Sequence, residues 1–185
     1  MKILLASNSP RRKELLESLG YQFEVVKVDC EEIYPKDLNV ENIAAYLSEL
    51  KSNAFRDLEK EEVLITADTI VAVENEVLGK PKSAEEAKEM LQKLSGKTHQ
   101  VYTGITLRNP EKSISKTGVS FVEIDQLSDE EINFYLKNFK PFDKAGSYGI
   151  QEWFGMAKVK NISGSFYSIM GLPTHLIYSL LKDFE

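Results

Sequence analysis

The 185-residue chain is poor in the side chains on which many enzymes depend: it has one cysteine, Cys30, and two histidines, His99 and His175. A single cysteine excludes a disulfide within the chain, and with so few histidines no Cys/His metal cluster is available. We interpret Cys30 as a small, partly buried residue. Neither histidine has serine and aspartate partners nearby that suggest a nucleophilic triad, so both are interpreted as structural.

Several well-known site signatures are also missing. The chain has no GxxxxGK[ST] phosphate-binding loop, no GxGxxG fingerprint and no HExxH motif. No apolar run approaches the roughly 18 residues that are needed to cross a bilayer. The short apolar run at the N-terminus also lacks the length and flanks of a signal peptide. We therefore expect no membrane association and a cytoplasmic location.

The charge balance excludes a general nucleic-acid surface but leaves room for a small anion site. The formal net charge is −6, and no basic run is longer than three residues. Hydrophobic residues make up 42% of the chain, enough for the core of one compact domain, residues 1–185, or of two closely packed lobes. Any chemistry must come from Lys, Arg, Asp and Glu, a set that fits a phosphate substrate with a divalent cation.

Strand and helix patterns alternate along the chain, without repeats or long linkers. Capping boxes that begin at Ser83 and Ser128 predict two of the helices. The predicted strands are 2–6, 21–28, 63–67, 99–107 and 117–124, with a further apolar run at 70–73; the predicted helices are 10–19, 40–58, 83–96, 127–139 and one from about 174. A polar glycine-rich loop is predicted at 140–155 and a hairpin around Gly164. The pattern indicates an α/β protein with a mixed sheet.

The first helix carries two arginines where the helix dipole disfavours them. Ser9 is a good N-cap and Pro10 suits the first helical position, so Arg11 and Arg12 fall in the first turn. A cation at that position is unfavourable by about 0.3–1 kcal/mol. We expect an anionic ligand to offset this cost.

Two more charged residues lie in apolar surroundings. Lys51 falls inside the apolar stripe of helix 40–58, so either its ammonium reaches out to water or it faces a bound anion in a cleft. Asp68 ends the apolar run 63–67, where it is either a turn former or a carboxylate at the carboxyl end of a strand. A carboxylate at such an end can hold a metal or activate water. Thr69 beside it either binds a ligand or satisfies the turn.

Two loops supply weaker candidates. Lys80 precedes Pro81 in an extended approach to a helix, although solvated loop lysines are common. The stretch "FDKAGSYGIQ" combines two glycines with Gln151, whose amide is suited to reading the edge of a base. A flexible surface turn is the alternative interpretation of that stretch.

Four stretches, in order and over nearly the whole chain, resemble one family. They are "ASNSPRRKELL", "LITADTIV" followed by "GKP", "LSG" with "HQVYTG", and "DKAGSYGIQ" with "GLP" near the end. Together they resemble Maf proteins, which are nucleoside triphosphate pyrophosphatases. The resemblance implies a fold like that of the inosine-triphosphate pyrophosphatases, with a mixed twisted sheet, flanking helices and two lobes around a central cleft. It also implies a homodimer.

The resemblance further implies a substrate class and roles for individual residues. Arg11, Thr69 and Gln151 match the subfamily that cleaves dTTP and UTP to the monophosphate and pyrophosphate. By the same resemblance, Asp68 is the proton acceptor or metal-organising carboxylate and Glu32 lies near the metal, Mg²⁺ or Mn²⁺. The remaining matches place Lys51 and Lys80 among the catalytic residues, and Ser7 and Arg12 among those that bind the substrate.

The chain departs from the family pattern after Gln151, where it has Glu152, Trp153 and Phe154 in place of small residues. This bulk either reshapes the base pocket or packs into the lobe beneath. Two other functions remain open at this stage: a nucleotide-sensing regulator of cell division with little turnover, and a nucleic-acid-binding accessory protein. The acidic composition disfavours the second.

Overall fold

The sequence folds into alternating strands and helices, as a computed structural model shows for residues 1–184. The elements in chain order are β1 (Lys2–Ala6), α1 (Pro10–Ser18), β2 (Phe23–Val25), α2 (Val40–Ala54), β3 (Glu62–Val73), β4 (Glu76–Leu78), α3 (Ala84–Leu94), β5 (Thr98–Arg108), β6 (Ser113–Ile124), α4 (Asp129–Phe139), α5 (Trp153–Lys158), β7 (Val159–Ser163), α6 (Phe166–Met170) and α7 (Thr174–Leu181). Single 3₁₀ turns lie at Ala145–Ser147 and Lys182–Phe184. None of the helices in residues 1–184 is both long and apolar enough to cross a membrane.

The strands form one mixed seven-stranded sheet. Its order is β2-β1-β3-β5-β6-β7, and β4 pairs with β3. The β1 strand is parallel to β2 and to β3, as expected of strands joined through helices, whereas the β3–β4 and β6–β7 pairs are antiparallel. The predicted mixed α/β fold with flanking helices is therefore confirmed.

The contacts divide the chain into two units, each with its own core. The first comprises residues 1–69, 103–118 and 171–185, and the second comprises residues 70–102 and 119–170. Leu4, Ala6 and Leu64 form a core cluster in the first unit. The second has a larger cluster that includes Tyr135 and Phe154. The single domain 1–185 and the cleft between two lobes stay predictions.

Several predicted boundaries are wrong, and three of them lie in the first half of the chain. The helix predicted to reach Leu58 ends at Ala54, because Phe55 is extended and the Arg108 guanidinium donates hydrogen bonds to the Ser52 and Phe55 carbonyls. Only residues 23–25 of the predicted strand 21–28 pair with β1. The apolar runs 63–67 and 70–73 belong to one strand, β3, that continues through residues 68 and 69, where a turn was one of the two interpretations of Asp68.

The other two corrections lie near the C-terminus. The predicted loop 140–155 contains the start of helix α5, whose Phe154 is 1% exposed and anchors the helix in the core. The predicted hairpin around Gly164 is instead the join between β7 and helix α6. Gly164 has a φ of +122°, and the Ser165 amide donates to the Ser120 hydroxyl, so the chain leaves the sheet at this point.

Candidate active site

Asp68 lies inside β3 rather than after it, which corrects the sequence prediction. The last residue of β3 that pairs with β1 is Thr66, opposite Ala6. Residues 67–69 therefore extend past the carboxyl end of the parallel neighbour, which is the edge where open α/β sheets bind ligands. Because alternate residues of a strand share a face, Asp68 lies on the same face as Thr66, whose hydroxyl donates to the Ser48 carbonyl of α2.

The Lys51 side chain meets Asp68 on this face. Its Nζ lies 3.3 Å from Asp68 Oδ1 and 2.9 Å from Glu32 Oε1. The Lys51 and Asp68 side chains are 14% and 13% exposed, whereas Glu32, in the loop between β2 and α2, is 49% exposed. Of the two sequence interpretations of Lys51, the structure supports the lysine that faces inward. Its partners in the described residues are the two predicted metal-site carboxylates, and no anion is needed to pair it.

Arg12 is directed into the protein. Its Nε donates to the Gly171 carbonyl at 2.8 Å, and Nη1 donates to the Ala67 carbonyl at 2.9 Å and to the Ser7 hydroxyl at 3.4 Å. Nη2 donates to Thr69 Oγ1 at 3.2 Å. Burial lowers the pKa of Arg12, and the nearby Asp68 carboxylate opposes that shift.

The sequence prediction explained both arginines of α1 by a bound anion, and for Arg12 the structure gives a different reason. Acceptors within the protein already engage most of its five N–H donors. These hydrogen bonds largely offset the unfavourable free energy of a positive charge in the first turn. Arg11 lies on the same turn and is half-buried. Ser9 precedes the helix as predicted, but its side chain makes no capping hydrogen bond.

Ser7 is a buried hydroxyl whose acceptor positions are in use. Its Oγ accepts from the Ser9 amide at 3.2 Å and from Arg12 Nη1. A serine hydroxyl carries two lone pairs and one hydrogen, so the remaining capacity of Ser7 is as a donor. A donor at the start of α1 suits an anionic ligand.

Lys80 and Gln151 belong to the second unit, where both are exposed. Their segments are joined by a hydrogen bond from the Gly146 amide to the Gly79 carbonyl at 3.1 Å. Gly146 has a φ of +67°, and a Cβ there would lie 2.9 Å from Val71 Cγ1, so the approach of this segment to β3 requires glycine. The structure thus fixes the segment 145–151 against β3 and the Lys80 loop.

A polar cluster that the sequence analysis missed supports the Gln151 segment. Tyr135 donates a short hydrogen bond to Glu152, and its Oη accepts from the Gly149 amide at 2.9 Å. Lys144 Nζ lies 3.0 Å from the other oxygen of Glu152 and 2.8 Å from Asp143. The only signal in the sequence was the charged pair in "FDKAG", because the contact of Tyr135 with Glu152 depends on how α4 packs against the segment that follows it.

The bulky residues after Gln151 pack into the core of the second unit, as one of the two sequence interpretations proposed. Trp153 stacks on Tyr135 with ring centroids 6.1 Å apart. Phe154 packs between Tyr135 and Tyr148, at 5.2 and 4.9 Å. Tyr148 in turn hydrogen bonds to Nε2 of His99, which is fully buried and whose pKa is lowered to about 4 by that burial.

The acidic side chains do not form a ready-made metal centre. Among residues 1–184, no group of three or more His, Cys, Asp or Glu side chains is placed to hold a metal ion. Asp68 and Glu32 nevertheless place two carboxylates close together, because both contact the Lys51 ammonium. Mg²⁺ is usually held by one or two carboxylates together with substrate phosphates. The donor set therefore fits a divalent ion that is shared with a phosphate substrate, and not one bound by the protein alone.

Comparison with known proteins decides the family. Residues 2–184 match the family model described as Maf-like protein. The chain belongs to the Maf-like protein family. It is 52% identical to a dTTP/UTP pyrophosphatase of Bacteroides thetaiotaomicron over 98% of this chain and 95% of that protein, and 48% identical to one of Porphyromonas gingivalis over 99% and 94%.

Solved structures of Ham1 proteins are similar to part of this Maf-like chain. The Ham1 protein of Staphylococcus aureus has a TM-score of 0.44 and 20% sequence identity, covering 67% of this chain and 72% of that one.

Proposed function

We propose that this Maf-like protein hydrolyses dTTP and UTP to the nucleoside monophosphate and pyrophosphate. The observation that carries the proposal is the Lys51 ammonium between the Asp68 and Glu32 carboxylates, at the carboxyl edge of the parallel strands. This cluster lies in a chain about half identical to proteins named dTTP/UTP pyrophosphatase. The reaction is a house-cleaning step in nucleotide metabolism.

The chemistry follows from charge and position. A triphosphate carries close to four negative charges, which the N-terminus of α1, Arg11 and the Ser7 hydroxyl are suited to receive. Water attacks the α-phosphorus and pyrophosphate leaves in line with the attack, with Asp68 acting either as the proton acceptor for that water or as the carboxylate that organises the metal. Lys51 and Lys80 offset the charge that develops on the leaving group. Reactions of this type depend mainly on positioning and charge neutralisation.

Arg12 has a supporting part in this mechanism. Its hydrogen bonds to the Ser7 and Thr69 hydroxyls hold two of the proposed substrate-binding groups in place. The charge of its guanidinium adds to the positive potential at the start of α1, even though most of its donors are engaged within the protein. Arg12 therefore binds substrate chiefly through the groups that it positions.

A divalent cation, Mg²⁺ or Mn²⁺, belongs to the proposal. Asp68 and Glu32 would hold it together with phosphate oxygens, and when bound it neutralises phosphate charge and polarises the phosphoryl group. Lys51 pairs with the same two carboxylates, so its single positive charge offsets only part of their combined negative charge. Removal of divalent ions by EDTA is expected to abolish turnover, and added Mg²⁺ or Mn²⁺ to restore it.

Base selection is assigned to Thr69 and Gln151. The Gln151 amide offers both a donor and an acceptor, which matches the edge of uracil or thymine. These two bases differ by one methyl group, which a hydrophobic contact discriminates by only about 1–3 kcal/mol. Both dTTP and UTP are therefore expected as substrates.

The decisive experiment measures pyrophosphate release by the purified full chain from each common nucleoside triphosphate, with Mg²⁺ or Mn²⁺ present. We expect dTTP and UTP to be the preferred substrates, with the monophosphate as the second product. Release of orthophosphate would contradict the proposed bond cleavage. A protein that binds UTP but forms no product over hours would favour the nucleotide-sensing regulator.

Two further points belong to the same proposal. We expect the protein to form a homodimer and to reside in the cytoplasm. Light scattering after size-exclusion chromatography tests the first, since the dimer has twice the chain mass. Localisation of the tagged full chain in cells tests the second.

A further inference from the structure

A series of hydrogen-bonded hydroxyls begins at Ser48, one turn of α2 before Lys51. Ser48 Oγ donates to the Ala45 carbonyl at 2.8 Å within α2. The same oxygen lies 2.8 Å from Thr106 Oγ1 on β5, which lies 2.9 Å from Ser115 Oγ on β6. Ser48, Thr66 and Thr106 are fully buried.

Counting the hydroxyl hydrogens shows which group donates in each of these hydrogen bonds. A hydroxyl has a single hydrogen, and that of Ser48 is committed to the Ala45 carbonyl. Thr106 must therefore donate to Ser48, and Ser115 must donate to Thr106. Helix α2 is thus held to β5 by a hydrogen bond whose donor and acceptor are both determined.

A second hydrogen bond ties the same residue of α2 to β3. Thr66 Oγ1 donates to the Ser48 carbonyl at 2.6 Å. Close packing reinforces it, because a Cβ on Gly104 of β5 would lie 2.2 Å from the Ala44 carbonyl atoms. Ser48 is therefore fixed against two strands, and this turn of α2 has little freedom to shift.

Lys51 and Asp68 follow this contact along the same helix and the same strand. Asp68 follows Thr66 by two residues on the same face of β3, and Lys51 follows Ser48 by three residues on the same side of α2. The Thr66–Ser48 and Lys51–Asp68 contacts are thus successive links between one helix and one strand. A shift of α2 that breaks the first link also moves Lys51 away from Asp68.

We propose that Thr66 and Thr106 are positioning residues for hydrolysis, because they hold Lys51 beside Asp68 through Ser48. The inference rests on the proposed pyrophosphatase function. Neither threonine touches the substrate. Their contribution is to place the Lys51 ammonium, and displacements of about 1 Å remote from the reacting atoms can reduce turnover by up to about 100-fold.

The test compares Thr66→Val, which removes the hydroxyl at nearly constant volume, with Thr66→Ser, which keeps it. We expect Thr66→Val to lower kcat for UTP by about tenfold or more with a smaller change in KM, and Thr66→Ser to retain most of the turnover. Ser120→Ala is the matched control, since Ser120 is also a buried strand hydroxyl that donates to a backbone carbonyl, that of Ser165. It is expected to keep the wild-type kcat.

A double-mutant cycle separates positioning from general destabilisation. In the Lys51→Met background, Thr66→Val is expected to cause no further loss of kcat, because there is no ammonium left to place. If Thr66→Val fails to fold, Thr106→Val in both backgrounds provides the same comparison. If Thr66→Val lowered kcat by the same factor in the wild-type and Lys51→Met backgrounds, the positioning inference would be overturned but the proposed function would not. An unchanged kcat in folded Thr66→Val would have the same consequence. No pyrophosphate release by the wild type would overturn the proposed function as well.

Discussion

The ammonium of Lys51 lies 3.3 Å from the Asp68 carboxylate, and both side chains are mostly buried. Charges withdrawn from water are costly unless they are paired, so each group makes the position of the other tolerable. The pair joins α2 to the part of β3 that runs past β1. A bound triphosphate would compete for Lys51, which would leave the Asp68 carboxylate available to accept a proton.

The Asp68→Asn substitution tests the role of that carboxylate. Asparagine keeps the size but loses the negative charge and the ability to accept a proton, so we expect pyrophosphate release to fall by about 100-fold or more. Release is measured under saturating UTP, alongside the thermal midpoint. Asp57→Asn, an exposed aspartate of the same unit, is the control and is expected to retain activity. Near wild-type turnover in Asp68→Asn would exclude both a proton-accepting and a metal-organising role.

The sequence analysis singled out Lys51 and Asp68 separately but did not predict that they pair, and it did not predict the surroundings of Arg12. Lys51 within an apolar stripe and Asp68 at the end of an apolar run are both local anomalies, and they meet because that stripe packs on β3. The acceptors of Arg12 come from positions as far away as Gly171, and no periodicity reveals such a set. For the same reason the support of Glu152 by Tyr135 was not predictable.

Substitution of Arg12 is expected to reduce stability as well as activity. Arg12→Met leaves the Gly171 and Ala67 carbonyls without this donor, and we expect a loss of about 3 kcal/mol, since hydrogen bonds from charged groups contribute about 1.5–3 kcal/mol each. Arg12→Lys should be nearly as damaging, because one ammonium cannot serve acceptors arranged around a planar fork. Urea unfolding measures both variants. Lys13→Met on the same helix is the control, and an equal loss there would contradict the assignment.

Glu62 is expected to contribute stability that disappears in acid. Two hydrogen bonds from the Arg56 guanidinium and one from the Glu59 amide lower the pKa of Glu62 to about 2. The folded-state pKa is below the unfolded value near 4.5, so the contribution is complete above pH 4.5 and is lost as the pH falls towards 2. The Tm of wild type should exceed that of Glu62→Gln at pH 6, and the difference should shrink between pH 4.5 and 2. Glu61→Gln, with an exposed side chain, should show no such trend.

His99 is expected to remain neutral well below pH 7. Burial lowers its pKa to about 4 from an ordinary value of 6.5, so the unfolded chain takes up the proton first as the pH falls. Folded-state stability should therefore decline between pH 6.5 and 4, and the decline should be shallower in His99→Gln. Imidazole chemical shifts give the pKa directly, with His175→Gln used to assign the signals. A His99 titration near 6.5 would show that the ring is hydrated.

Substitutions of Phe154 test whether this residue packs in the core or contributes to the base pocket. Its ring is 1% exposed and lies against Tyr135 and Tyr148, so Phe154→Ala should lower stability by about 3–5 kcal/mol through loss of buried area and the cavity that remains. Met156→Ala on the same helix, where the side chain is 80% exposed, should have little effect. The milder Phe154→Leu distinguishes the two roles. If Phe154 only packs in the core, this substitution lowers the unfolding free energy but leaves the ratio of kcat/KM for UTP to that for CTP unchanged. A change in that ratio without a loss of stability would instead place Phe154 in substrate selection.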